Sequence, residues 1–159
     1  MKKRIFMILI CIYVLFLIFF VILKFDGSFE EINLLHQQII ENEQADLKNV
    51  NLVPFKTISP YLKNITEMYA FKNIMGNIII FFPLGFFVSY RFSKKVLKPM
   101  IICMLTILFI ECIQLIFKIG FFDVDDILLN SIGCLFGIYF NFFWYIFTKT
   151  AGNSILVKR

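Results

Sequence analysis

Four apolar stretches, each long enough to cross a bilayer as a helix, constrain this chain more than any other feature. The first runs from Ile5 to Leu23 without a charge. At about 1.5 Å of rise per helical residue, a stretch of that length nearly matches the ~30 Å hydrocarbon core. Three more follow at about 71–90, 99–119 and 127–147. Hydrophobic residues make up 60% of the 159 and charged residues only 17%, too little polar surface to cover so much apolar side chain in water. A water-soluble monomer, a disordered chain and a disulfide-stapled secreted module are excluded. The expected fold is an all-α membrane protein, a four-transmembrane-helix bundle with an extracellular segment between the first and second helices.

The net charge of +5 is placed as a membrane protein places it. Ten of the sixteen basic residues fall in three segments without an acid: Lys2, Lys3 and Arg4; Arg91, Lys94, Lys95 and Lys98; Lys149, Lys158 and Arg159. The positive-inside rule assigns such clusters to the cytoplasm, so both termini are expected inside a multi-pass protein of the cell membrane. A nucleic-acid partner is not expected, because its surface would gather the charge on one soluble face. The bilayer itself is the expected partner.

Four segments follow. Residues 1–23 form an N-terminal transmembrane anchor. It opens like a signal peptide, but its apolar core exceeds the usual length and no small-x-small cleavage site follows. Residues 24–70 form an extracellular segment holding seven of the eleven acids. Ser28 and Glu31 make a capping-box pattern, and Phe29, Ile32, Leu35 and Ile39 recur at helical spacing, which predicts a short amphipathic helix lying on the membrane or on the other spans. Pro54 and Pro60 break any helix beyond it. His36, the one histidine, is read as a solvated residue of that helix. Residues 71–147 form a three-helix membrane core, and 148–159 a cytoplasmic basic tail.

Polar residues inside spans are costly and mark sites. Asn77 on the second span, Glu111 and Gln114 on the third, and Asp126 and Asn130 at the head of the fourth lie at similar depth. With Asp123 in the preceding loop they are expected to share one polar pocket open to the outside. Gly133 and Gly137 make a small-x-x-x-small pair that admits a close neighbour. Gly76, Gly85 and Pro83 on the second span are the matching packing candidates, with a kink expected at Pro83. The oxygen donors are of the type calcium or magnesium takes, but no His or Cys joins them and the twelve-residue EF-hand pattern is missing, so no metal is expected. The four cysteines fall in apolar stretches without a C-x-x-C pair and are read as small buried hydrophobes.

Several of these residues also carry a resemblance. Asn51-Leu52-Val53-Pro54-Phe55, Gly76-Asn77-Ile78-Ile79 through Phe82-Pro83-Leu84-Gly85, Glu111-Cys112-Ile113-Gln114, and Asp123-Val124-Asp125-Asp126-Ile127 with Asn130 and Gly133 stand in the order found in the VanZ-like family. The chain resembles that family over roughly residues 50 to 147. Many relatives carry Gly-Arg ahead of the Asp run, where this chain has Gly120-Phe121. The resemblance implies a small polytopic bacterial membrane protein of the cell envelope, in a family whose namesake is associated with resistance to the lipoglycopeptide teicoplanin. The function expected is antibiotic resistance through a pocket for a lipid-linked or lipoglycopeptide ligand, with no cofactor. The alternatives are an intramembrane enzyme on a lipid headgroup, with Glu111 and Asp126 as acid/base or metal-holding residues, and a small transporter or transporter subunit.

Overall fold

The computed structural model describes residues 3–19, 29–45, 49–92 and 95–156. The elements in chain order are α1 (Lys3–Leu17), α2 (Phe29–Gln44), β1 (Val50–Asn51), α3 (Ile58–Lys63), α4 (Met68–Arg91), α5 (Leu97–Ile116), β2 (Phe122–Asp123) and α6 (Val124–Leu156).

Three of these helices are long and apolar enough to cross a membrane: Met68–Arg91, Leu97–Ile116 and Val124–Lys149. Much of their apolar surface faces outward. Leu105, Phe109, Phe143 and Phe147 are all more than half exposed, and a surface so apolar needs hydrocarbon around it. The chain thus has the character of a multi-pass membrane protein. A fourth span is less complete than expected. α1 is a 15-residue apolar helix, and residues 20–23 of the stretch lie outside the described residues. α1 nevertheless packs on α4. The Phe6 ring lies 4.5 Å from that of Tyr90, tilted against it, and the Tyr13 ring lies 5.6 Å from that of Phe87. The Tyr13 hydroxyl donates to the Ile80 carbonyl at 2.9 Å. Low numbers on α1 meet high numbers on α4, so the two run antiparallel.

α4 continues unbroken through Pro83 over 24 residues. The Tyr13 bond falls beside the break in the ladder, one residue past the Ile79 carbonyl that loses its N–H partner to the proline. α4 and α6 run parallel, and their backbones touch. A Cβ on Gly85 would collide with the Cys134 carbonyl, on Gly133 with the Ile78 carbonyl, and on Gly137 with the Phe82 carbonyl. Around Gly76 there is open space, so it takes no part in this contact. α5 runs back beside this pair, against α6 more than α4, and buries Pro99, Cys103, Ile107, Ile110, Glu111 and Gln114 on one face. The main apolar core joins Tyr13 and Leu17 of α1, Phe81 of α4, Cys103, Ile107 and Ile110 of α5, and Ile127 and Cys134 of α6, and a smaller cluster joins Ile58 of α3, Ile74 of α4 and Leu129 of α6.

Pro60 does not prevent a helix: α3 forms with the proline in its first turn, where no helical N–H is needed. Three boundaries also differ from the sequence reading. α5 stops at Ile116, and Lys118 adopts a positive φ of 55°, which turns the chain before the Asp run. α6 takes in the last two acids of the Asp run, Asp125 and Asp126, in its first turn, where acids favour the helix dipole. It also continues through the start of the supposed tail, to Leu156. The all-α expectation gains one small exception, a parallel pairing of Val50 with Phe122 and Asn51 with Asp123.

α2 exists where the periodicity placed it, and Ile39 is buried. Ser28 and the side chains of Phe29, Glu31, Ile32 and Leu35 lie outside what is described. His36 is not merely solvated. Its Nδ1 lies 2.9 Å from the Lys118 carbonyl, and because a carbonyl only accepts, Nδ1–H is the donor. Asn49 donates to the Ile39 carbonyl at 3.1 Å, and its own carbonyl accepts from Phe122 N–H at 3.1 Å. α2 is thereby fastened to the α5–α6 turn.

Candidate functional site

The segment from Asn49 to Lys63 folds over the head of α6, and one carboxylate organises it. The Asp125 side chain, 1% exposed, accepts the N–H groups of Phe55 at 2.6 Å, Thr57 at 2.7 Å and Ile58 at 3.0 Å. Phe55 stands at a positive φ of 65°, a conformation that costs a side-chain-bearing residue roughly 1–3 kcal/mol. The turn it makes aims successive N–H groups inward, which is the geometry that binds an anion. Asp125 fills that nest and so serves the structure.

Its neighbour Asp123 does two jobs. Oδ1 accepts Asp125 N–H at 2.9 Å, capping α6, and also the Asn51 amide at 2.9 Å. Oδ2 accepts the Thr57 hydroxyl at 2.6 Å. Asp126 accepts the Asn77 amide at 3.1 Å, tying α6 to α4. The three acids of the run therefore diverge: one is sunk in a backbone nest, and two turn toward a cavity.

That cavity is about 340 Å³ and is lined by Asn49, Asn51, Thr57, Tyr61, Asn73, Asp123 and Asp126, with Lys56 at its wall. Burial pushes the Tyr61 phenol above its ordinary value near 10, and the Asp126 and Asp123 carboxylates push it the same way. At neutral pH Tyr61 is a neutral hydroxyl on the same cavity wall as the two carboxylates. Because the folded protein holds this proton longer than the unfolded chain, the stability Tyr61 contributes is present below its ordinary value and is lost as pH rises through the shifted one. Thermal unfolding followed across the alkaline range should therefore show a loss that Tyr61→Phe removes. An identical alkaline profile in both proteins would refute the placement.

Leu52, Val53 and Phe55 are exposed between residues of the cavity wall, so an apolar rim adjoins a polar hollow. Of the six residues expected to share one pocket, Asp123 and Asp126 line this cavity and Asn77 stands behind Asp126. Glu111, Gln114 and Asn130 are buried in the helix bundle, each 1–2% exposed, and are not on the cavity wall. The Asn130 carbonyl oxygen has no hydrogen-bond partner among the described residues. No group of three or more His, Cys, Asp or Glu among the described residues is placed to hold a metal ion.

Thr57 and Tyr61 were not singled out from the sequence, nor was Asp125 given its latching role. Asn51 had one signal, its place at the head of the Asn-Leu-Val-Pro-Phe run. Thr57 and Tyr61 had none, since polar residues around Pro60 read only as loop.

The VanZ/LLP1 family model matches residues 10–147. The chain is similar to Protein VanZ of Enterococcus faecium, at 28% identity over 131 residues that cover 82% of this chain and 69% of that protein. No solved structure matches. The matched stretch runs from the middle of α1 through most of α6 and includes every residue of the cavity wall.

Proposed function

The chain belongs to the VanZ/LLP1 family, and from that membership we propose that it is a cell-envelope membrane protein that lowers sensitivity to lipoglycopeptides such as teicoplanin. The observation that carries this reading is the pair of carboxylates, Asp123 and Asp126, facing one cavity beside an apolar rim. The basic link at 91–98 lies at the opposite end of α4 from the cavity, and the positive-inside rule puts that link in the cytoplasm. The cavity then opens at the outer surface and both termini lie inside, with α1 as the first of four spans and residues 24–70 outside. A ligand bearing hydroxyl, amide or ammonium donors would meet Asp126, Asp123 and Tyr61, while its acyl tail lies against Leu52, Val53 and Phe55. Such charge-assisted bonds are the strong ones, and a lipid anchor raises the local concentration of the headgroup.

Expression of the chain in a susceptible bacterium should raise the inhibitory concentration of teicoplanin more than that of vancomycin, which lacks the lipid tail. Asp126→Asn keeps the shape but removes the charge, and should abolish most of that difference at equal protein level in the membrane. Unchanged inhibitory concentrations for both drugs with the wild-type chain would overturn the reading.

A further inference from the structure

A second and larger cavity, about 410 Å³, lies at the other end of the bundle, where the end of α4, the start of α5 and the late turns of α6 meet. Its wall includes Ser89, Lys95, Asn141, Trp144, Tyr145 and Thr148, and no carboxylate. The sequence around it carries no opposing charge: there is no acid from Met68 to Ile110 and none from Ile127 to Arg159, while Arg91, Lys95 and Lys98 fall within one short stretch.

The donors divide by what they already do. The Ser89 hydroxyl donates to the Phe86 carbonyl at 3.0 Å, and that of Thr148 to the Trp144 carbonyl at 3.0 Å. Both are spent on their own helices. The Asn141 amide is half-buried on the wall and has no hydrogen-bond partner among the described residues. Lys95 is exposed there and forms no ion pair among the described residues. α5 begins at the wall from Val96 with no side-chain cap, so its first N–H groups and the positive end of its dipole lie on the same side. Trp144 and Tyr145, one end apolar and one end polar, are partly exposed as such rings are at headgroup depth. Phe143 and Phe147 leave an apolar face on the same stretch of α6.

We propose that this cavity binds the phosphate headgroup of an anionic membrane lipid, with Lys95 and Asn141 as its ligands and the acyl chains lying along α6. A basic pocket between transmembrane helices, open at the bilayer interface, suits such a headgroup. Its volume is within the range of small-molecule sites. The site is separate from the carboxylate cavity and stands or falls without it.

Trp144 is the only tryptophan in the chain and lies on the cavity wall, so it reports occupancy directly. The full chain is reconstituted in phosphatidylcholine vesicles containing a small fraction of brominated phosphatidylglycerol, or the same fraction of brominated phosphatidylcholine. The anionic quencher should act as if enriched about fivefold at Trp144, the preference expected for one well-placed lysine. In the Lys95→Ala, Asn141→Ala double variant the two quenchers should become equal, with quenching by the zwitterionic lipid unchanged from wild type. Equal quenching in the wild type would overturn the proposal, as would a preference that survives the double substitution. Loss of the preference on adding inorganic phosphate, but not sodium chloride at matched ionic strength, would assign the site to free phosphate and overturn the lipid.

Discussion

Gly85→Val and Gly137→Val are each expected to yield no stably folded protein in detergent or membranes. A side chain at either position must enter space held by main-chain carbonyls, those of Cys134 and Phe82. Main chain cannot rotate aside as a side chain does, so α4 and α6 would have to separate along their whole contact. The cost should reach or exceed about 3 kcal/mol, the upper part of the usual range for overpacking. Separation would also expose Phe81 and Cys134 of the core and part the Phe82–Phe140 ring pair, now 5.6 Å apart. Gly76→Ala is the control on the same helix. Its Cβ meets nothing within 4 Å, and the variant should lie within about 1 kcal/mol of wild type, the scale of the Gly–Ala propensity difference. Thermal unfolding in detergent, with monodispersity by size exclusion, measures all three. Folded Gly85→Val at wild-type stability would contradict the close crossing.

Asp125→Ala should unlatch the segment 49–63 from α6 while leaving the α4–α6 contact intact. Three N–H groups, that of Ile58 buried, would lose their acceptor together, and Phe55 would have no reason to hold its left-handed turn. A hydrogen bond to a charged group is worth about 1.5–3 kcal/mol, and an orphaned buried donor adds its own penalty. A local loss of about 3 kcal/mol or more is expected. Asp125→Asn should fare little better, because its amide group turns N–H toward N–H. Hydrogen exchange is the direct measurement: the amides of Phe55, Thr57 and Ile58 should lose protection, and those of the Gly133–Ile138 stretch should keep theirs. Because the cavity wall includes Asn51, Thr57 and Tyr61, the same variant should also lose the teicoplanin effect. Retained protection at Thr57 would show that another group holds the segment.

The membrane helices were legible because two unrelated signals coincide, uncharged apolar length and the clustering of lysine and arginine. The Gly133–Gly137 pair was visible as spacing, but not the partner surface. Only the structure shows Ile78 and Phe82 opposite those glycines, with Gly85 against Cys134. The Asp run was visible as a cluster of three carboxylates, which from the sequence look interchangeable. They are not. Asp125 is satisfied by backbone N–H groups of a segment some seventy residues away in sequence, and no local pattern announces an anion-binding turn built from ordinary residues such as Phe55. The short β1–β2 pairing escaped for a related reason, since two residues are too few to show an alternating pattern. The docking of His36 on the Lys118 carbonyl depended on a left-handed turn at a lysine, where glycine would be the usual sign.

By itself the sequence determined that this chain lives with its helices in hydrocarbon and which of their ends carries the positive charge. Those properties follow from composition along a line, since transfer to lipid is set residue by residue. The tertiary structure alone decided which carboxylate is a latch and which two face a cavity, that Glu111, Gln114 and Asn130 sit inside the bundle away from that cavity, and that a second hollow opens around Lys95 and Asn141. Those outcomes depend on where a side chain's hydrogen-bonding partners lie in space, and the partners come from parts of the chain far apart in sequence.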